Sequence, residues 1–95
     1  MNKECLKTQS GQSIEGPLVI KTNIFEDQRG LFYESWNSKI FNELVLNKIN
    51  FVQDNISFSK KGVLRGLHYQ VNPFLQGKLV RCIKGKIFDV IVDLR

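Results

Sequence analysis

From Leu18 onward the chain is cut into short apolar runs by clusters of turn-forming residues, and that spacing limits the fold more than any other feature. Leu18 to Phe25 reads as a first strand, ended by the cluster Glu26-Asp27-Gln28-Arg29-Gly30. Leu31 to Trp36 alternates apolar and polar residues and reads as the returning arm of a hairpin. Four more strand-like runs follow, at Phe51 to Phe58, Val63 to Tyr69, Lys78 to Lys84 and Lys86 to Leu94. The breaks between them are Lys60-Lys61-Gly62, Asn72-Pro73 with Gln76-Gly77, and Lys84-Gly85. One helix interrupts the series, with Asn37 or Ser38 as its N-cap and Ile40, Phe41, Leu44 and Val45 on one face. Residues 1–15 are polar without clear periodicity and read as a loose N-terminal arm. Six strands and one helix predict a mainly β chain, an antiparallel barrel or sandwich.

A chain of 95 residues is enough for one small domain, which buries only roughly 60–65% of its extended surface on folding. The opening Met1-Asn2-Lys3-Glu4-Cys5 has charges and no apolar run, so a secretory signal is not expected. The apolar stretch Ile87 to Val92 is interrupted by Asp89 and is too short to span a bilayer. Two cysteines, Cys5 and Cys82, fit neither a disulfide framework nor a structural zinc site, and Cys82 is expected as a small buried residue. The expected compartment is the cytoplasm. The run Lys86 to Leu94 is among the strongest strands, and the sequence stops one residue after it. It is therefore expected to be completed by another subunit or by a longer chain.

Charge is unevenly placed. Residues 1–54 hold six Lys/Arg and seven Asp/Glu, whereas residues 55–95 hold eight Lys/Arg and two Asp/Glu. The positive excess points to an anionic partner: a nucleotide, a phosphorylated metabolite or nucleic acid. A basic, solvated surface has the same composition.

Within that basic half, His68 is the only histidine, which excludes metal sites built on histidine clusters. Arg65-Gly66-Leu67-His68 puts a guanidinium and an imidazole within four positions. In a regular strand these two side chains face opposite sides; Gly66 permits a bulge that brings them onto one face. The adjacent arginine disfavours imidazolium and keeps the ring available as a base. Lys78 shares a strand face with Val80 and Cys82; its ammonium would stabilise an enolate oxygen or hold a phosphate, and otherwise it is a charged strand end. Asp89 is a candidate to orient His68 or Lys78 across the sheet, and otherwise belongs to the polar half of an alternating strand. Gln53-Asp54-Asn55 offers amides to sugar hydroxyls or a pyrimidine edge, or simply forms a polar turn. Arg29, Phe32 and Glu34 cluster at the first hairpin, where arginine and an aromatic suit a phosphate and a base. The alternative there is a salt bridge across the hairpin.

Five segments occur in order: Arg29-Gly30-x-Phe32-x-Glu34, Phe51-Val52-Gln53-Asp54-Asn55, Gly62-Val63-Leu64-Arg65-Gly66-Leu67-His68-Tyr69-Gln70, Gln76-Gly77-Lys78-Leu79-Val80-Arg81 and Phe88-Asp89-Val90-Ile91-Val92-Asp93-Leu94-Arg95. Together they resemble the N-terminal half of the dTDP-4-dehydrorhamnose 3,5-epimerase family, from about Gly16 to Arg95. The resemblance implies part of an antiparallel, cupin-type jelly roll over residues 16–95, a homodimer, and no metal or other cofactor. It implies inversion of carbons 3 and 5 of dTDP-4-dehydro-6-deoxy-D-glucose through enolates. His68 would be the general base; Arg65 and Lys78 would bind substrate and stabilise the enolate. Gln53 and Asn55 would touch the substrate, and Arg29, Phe32 and Glu34 would reach the nucleotide in the partner subunit's site. The chemistry is coherent, because a ketone acidifies its neighbouring C–H bonds and cations favour the developing charge.

The sequence departs from the family in length. Family members are about twice as long, and their second half supplies a tyrosine general acid, an aspartate paired with the histidine, and aromatic contacts to thymine. None of these has a matching position here; Tyr33 and Tyr69 match other places in the pattern. Alternative readings are a related cupin-type epimerase or ketoisomerase, a non-catalytic sugar-nucleotide-binding or split-subunit module, and a nucleic-acid-binding β-barrel. Against the last, Lys60-Lys61 is the only adjacent basic pair and the basic positions interleave with the enzymatic motif.

Overall fold

The computed structural model describes all residues, 1–95, as two compact units, Met1–Ile56 and Ser57–Arg95. Regular structure lies in the first. Its elements are β1 (Asn2–Lys7), β2 (Ser13–Lys21), β3 (Ile24–Asp27), β4 (Gly30–Tyr33) and α1 (Ser38–Val45). The strands form two antiparallel pairs, β1 with β2 and β3 with β4. The chain is thus mainly β, antiparallel, with one short helix, as its pattern predicts.

β1 stands where a loose arm is expected. Its side chains are exposed on both faces except at Leu6, so no alternation of apolar and polar residues announces it. Its pairing runs Asn2↔Lys21 to Cys5↔Leu18, then shifts to Leu6↔Ile14 and Lys7↔Ser13. The shift leaves Glu15, Gly16 and Pro17 as a bulge. Pro17 has no N–H to give the ladder, and Gly16 takes a φ of 110° that a side chain would resist. Lys21 Nζ lies 2.7 Å from Glu4 Oε1 across the pair.

The single strand expected over Leu18 to Phe25 is divided. β2 ends at Lys21 and β3 begins at Ile24, because the first half pairs with β1 and the second with β4. The predicted hairpin forms: Ile24↔Tyr33, Phe25↔Phe32, Glu26↔Leu31 and Asp27↔Gly30 face each other. Gln28 and Arg29 make its two-residue loop, and Gly30 at φ 131° turns the chain back.

The helix is capped by Asn37, whose Oδ1 accepts the Ile40 N–H at 3.1 Å. It stops at Leu46 in the left-handed conformation, φ 55°, with the Leu46 N–H on the Asn42 carbonyl. Lys3 Nζ donates to the Leu44 carbonyl, placing a cation on the negative end of the helix. Phe41, 7% exposed, is the one buried apolar residue. It packs on Trp36 (ring centroids 4.9 Å apart) and Phe51 (5.6 Å), and Trp36 meets Phe51 edge-on at 5.4 Å.

The four strands expected after residue 50 are absent. Residues 51–95 contain no helix or strand, although the expected breaks are in place. The Val63 N–H reaches the Lys60 carbonyl at 3.3 Å around Gly62, the Phe74 N–H reaches the Val71 carbonyl at 2.8 Å around Asn72-Pro73, and Gly85 takes φ 83°. The runs between the breaks form no backbone ladder with another segment, and a strand exists only through such a ladder. Their apolar side chains face solvent, Leu64 and Phe88 at 90% and 93% exposure. No helix is long and apolar enough to cross a membrane.

Candidate active site

In the first unit, Arg29 sits in the loop between β3 and β4. Its Nη2 lies 2.6 Å from Asp27 Oδ2, its Nε 3.1 Å from the same oxygen, and its backbone N–H donates to Asp27 Oδ1 at 2.8 Å. The guanidinium holds the Asp27 carboxyl below its ordinary value, chiefly through the side-chain hydrogen bond, and Arg29 is raised in return. In place of the salt bridge expected across the hairpin, Arg29 pairs within the turn, with a residue two positions away. Phe32 lies on β4 opposite Phe25, with its ring exposed, and Glu34 follows the end of the strand. Gln53 and Asn55 come together, Gln53 Nε2 donating to Asn55 Oδ1 at 3.3 Å. That hydrogen bond joins the two amides into a single polar edge.

In the second unit, Arg65 follows the Lys60–Val63 turn and donates from Nε to the Ser59 hydroxyl at 2.9 Å. Gly66 has φ 122°, and a Cβ there would meet His68 Nδ1 at 3.5 Å and the His68 backbone nitrogen at 3.6 Å. Gly66 therefore supplies the unusual backbone expected between Arg65 and His68, though within an irregular segment rather than a bulged strand. His68 and Lys78 are exposed, and no hydrogen bond or ion pair joins either to Arg65.

The shared strand face expected for Lys78, Val80 and Cys82 does not form, because residues 78–84 are not a strand. Cys82 is exposed rather than buried, its Sγ 3.4 Å from the Lys84 carbonyl. Asp89 likewise has no sheet across which to orient a partner. Asp93 is held by Arg95, with Nη2 3.0 Å from Oδ2, and its carboxyl is pushed down to about 2, mainly by that hydrogen bond. No group of three or more His, Cys, Asp or Glu is placed to hold a metal ion.

Two contacts were not foreseen from the sequence: Ser59 on Arg65, and Asp27 on Arg29. The first had a signal, a serine preceding the Lys60-Lys61-Gly62 turn at a distance that lets it face the returning chain. The second had one too, since aspartate often bonds the backbone two residues on.

Comparison with known proteins gives these residues a common context. The family described as dTDP-4-dehydrorhamnose 3,5-epimerase matches residues 11–95. A protein of that name from Shigella flexneri is 59% identical over 78 residues, covering 82% of this chain and 43% of its own length. The one from Salmonella typhimurium is 53% identical over 83 residues, 87% of this chain and 45% of its own length. That from Methanothermobacter thermautotrophicus is also 53% identical over 83 residues, with 87% and 44% covered. No solved structure matches. The chain spans a little under half the length of these relatives. All the candidate residues, from Arg29 to Lys78, fall inside the matched region, and the chain belongs to the dTDP-4-dehydrorhamnose 3,5-epimerase family.

Proposed function

We propose that this chain carries the proton-abstracting and substrate-binding half of a sugar-nucleotide 3,5-epimerase. The substrate is dTDP-4-dehydro-6-deoxy-D-glucose, inverted at carbons 3 and 5 through enolates. The observation that carries this reading is the family match over residues 11–95, which includes the segment Arg65-Gly66-Leu67-His68. His68 takes the proton beside the ketone. Arg65 and Lys78 offer positive charge to the oxygen on which the enolate develops, where it favours the transition state over the ground state. Gln53 and Asn55 hold the sugar, and Arg29, Phe32 and Glu34 meet the nucleotide of a neighbouring subunit. No tyrosine among residues 1–95 matches the general-acid position, so that role lies outside these residues. The exposed thiols of Cys5 and Cys82 suit a reducing compartment, the cytoplasm.

Deuterium wash-in at carbons 3 and 5 of the dTDP-4-keto sugar, followed by NMR in heavy water, tests the reading. Wash-in by the wild-type chain that disappears in a folded His68→Asn variant is the expected result. A folded wild-type chain that exchanges neither carbon rejects it as a free-standing base. Sugar-nucleotide binding without exchange would then identify a binding module or split subunit.

A further inference from the structure

We infer that Ser59 is a positioning residue for Arg65, holding its guanidinium by the Nε–H so that the outer fork is left for an anionic oxygen of the substrate. The inference rests on the proposed reaction, and deepens it. Its basis is the turn. The Val63 N–H bonds the Lys60 carbonyl, Gly62 takes φ 82°, and the chain reverses. The reversal sets Ser59 on the incoming limb opposite Arg65 on the outgoing one, where Arg65 Nε lies 2.9 Å from the Ser59 oxygen.

A guanidinium has five N–H donors, and this contact uses one. The four on the terminal nitrogens have no partner in the chain, in contrast to Arg29 and Arg95, whose terminal nitrogens sit on carboxylates. A hydroxyl is the fitting acceptor for the inner nitrogen. A carboxylate there would cancel the charge the substrate needs, whereas serine orients the group and leaves its charge whole. Arginine also loses considerable rotamer freedom when it binds an anion, and a side chain already held at Nε has less to lose. Lys60 and Lys61 in the same turn add positive charge without supplying a competing acceptor.

The wild-type chain, Ser59→Ala, Ser59→Thr, Arg65→Ala and the double variant Ser59→Ala/Arg65→Ala are compared in two ways. Nitrogen-15 NMR measures exchange of the Arg65 Nε–H with water, and deuterium wash-in on the dTDP-4-keto sugar gives kcat and KM. In Ser59→Ala the Nε–H exchanges about fivefold faster and kcat for wash-in falls about fivefold, the effect of losing one hydrogen bond. Ser59→Thr, which keeps the hydroxyl, restores both. In the Arg65→Ala background the serine substitution has no further effect. Unchanged Nε–H exchange in Ser59→Ala overturns the inference, as does a kcat loss that simply multiplies with that of Arg65→Ala. A wild-type chain without wash-in would sink the proposed reaction, and the Nε–H exchange would still decide whether Ser59 holds Arg65.

Discussion

Asp27 grips Arg29 from two residues away, one carboxylate oxygen 2.6 Å from Nη2 and the other 2.8 Å from the Arg29 backbone nitrogen. The pair closes the loop between β3 and β4 and sets the direction of the arginine proposed to meet the nucleotide. It does so at the surface, where an ion pair contributes little to stability and is easily exchanged for a stronger anion. A diphosphate, with more charge and more oxygens than one carboxylate, is such an anion.

The pair is sensitive to acid. Asp27 is lowered from 3.8 and Asp93 is lowered to about 2, both chiefly by arginine hydrogen bonds. A carboxylate whose folded pKa is depressed stabilises the fold above its unfolded value and loses that contribution as pH falls through the folded one. The Arg95 contact to Asp93 should therefore persist at pH 4 and fade as pH falls toward about 2. Carbon-13 NMR of the two carboxyls checks this; midpoints at the unperturbed aspartate value would show that neither arginine is engaged in solution.

Phe41 holds the small aromatic cluster together, so Phe41→Ala should cost about 3 kcal/mol and unseat the helix. Helical circular dichroism should fall, and Trp36 emission should move toward that of a solvated indole. An unchanged Trp36 spectrum would mean that the ring contacts at 4.9 and 5.4 Å are not formed in solution.

Asn37→Ala removes the acceptor for the Ile40 N–H and should destabilise the helix by about 1 kcal/mol, whereas Asn37→Asp or Asn37→Ser should retain most of the stability. Thermal melts followed at helical wavelengths distinguish them. Equal melting of all four proteins would remove Asn37 from the capping role.

Gly66→Ala should lower deuterium wash-in about tenfold while leaving the fold of residues 1–56 intact. A side chain at φ 122° is strained by roughly 1–3 kcal/mol, and the relief of that strain turns the backbone on which His68 is mounted. Amide spectra report the fold and wash-in reports the site; wild-type rates in the alanine variant would show that His68 does not depend on the conformation of its neighbour.

Much of the first unit was legible in its sequence. The hairpin loop at Gln28-Arg29 and the Asn37 cap are decided by residues within a few positions of each other, and their turn and cap chemistry can be read directly. The candidate residues were legible as a family pattern, but their contacts were not. Arg29 and Arg65 look alike in sequence, yet one is held by a carboxylate and the other by a hydroxyl.

By itself, the sequence determined where the chain turns, where its helix starts, and where the basic residues and the one histidine lie. The tertiary structure decided which extended runs become strands. Asn2 to Lys7, without apolar alternation, is a strand because Ser13–Lys21 lies beside it; Lys86 to Leu94, with alternation, is not, because nothing does. The reason is physical: a turn or a helix cap is closed by neighbours in sequence, while a strand's hydrogen bonds belong half to another segment.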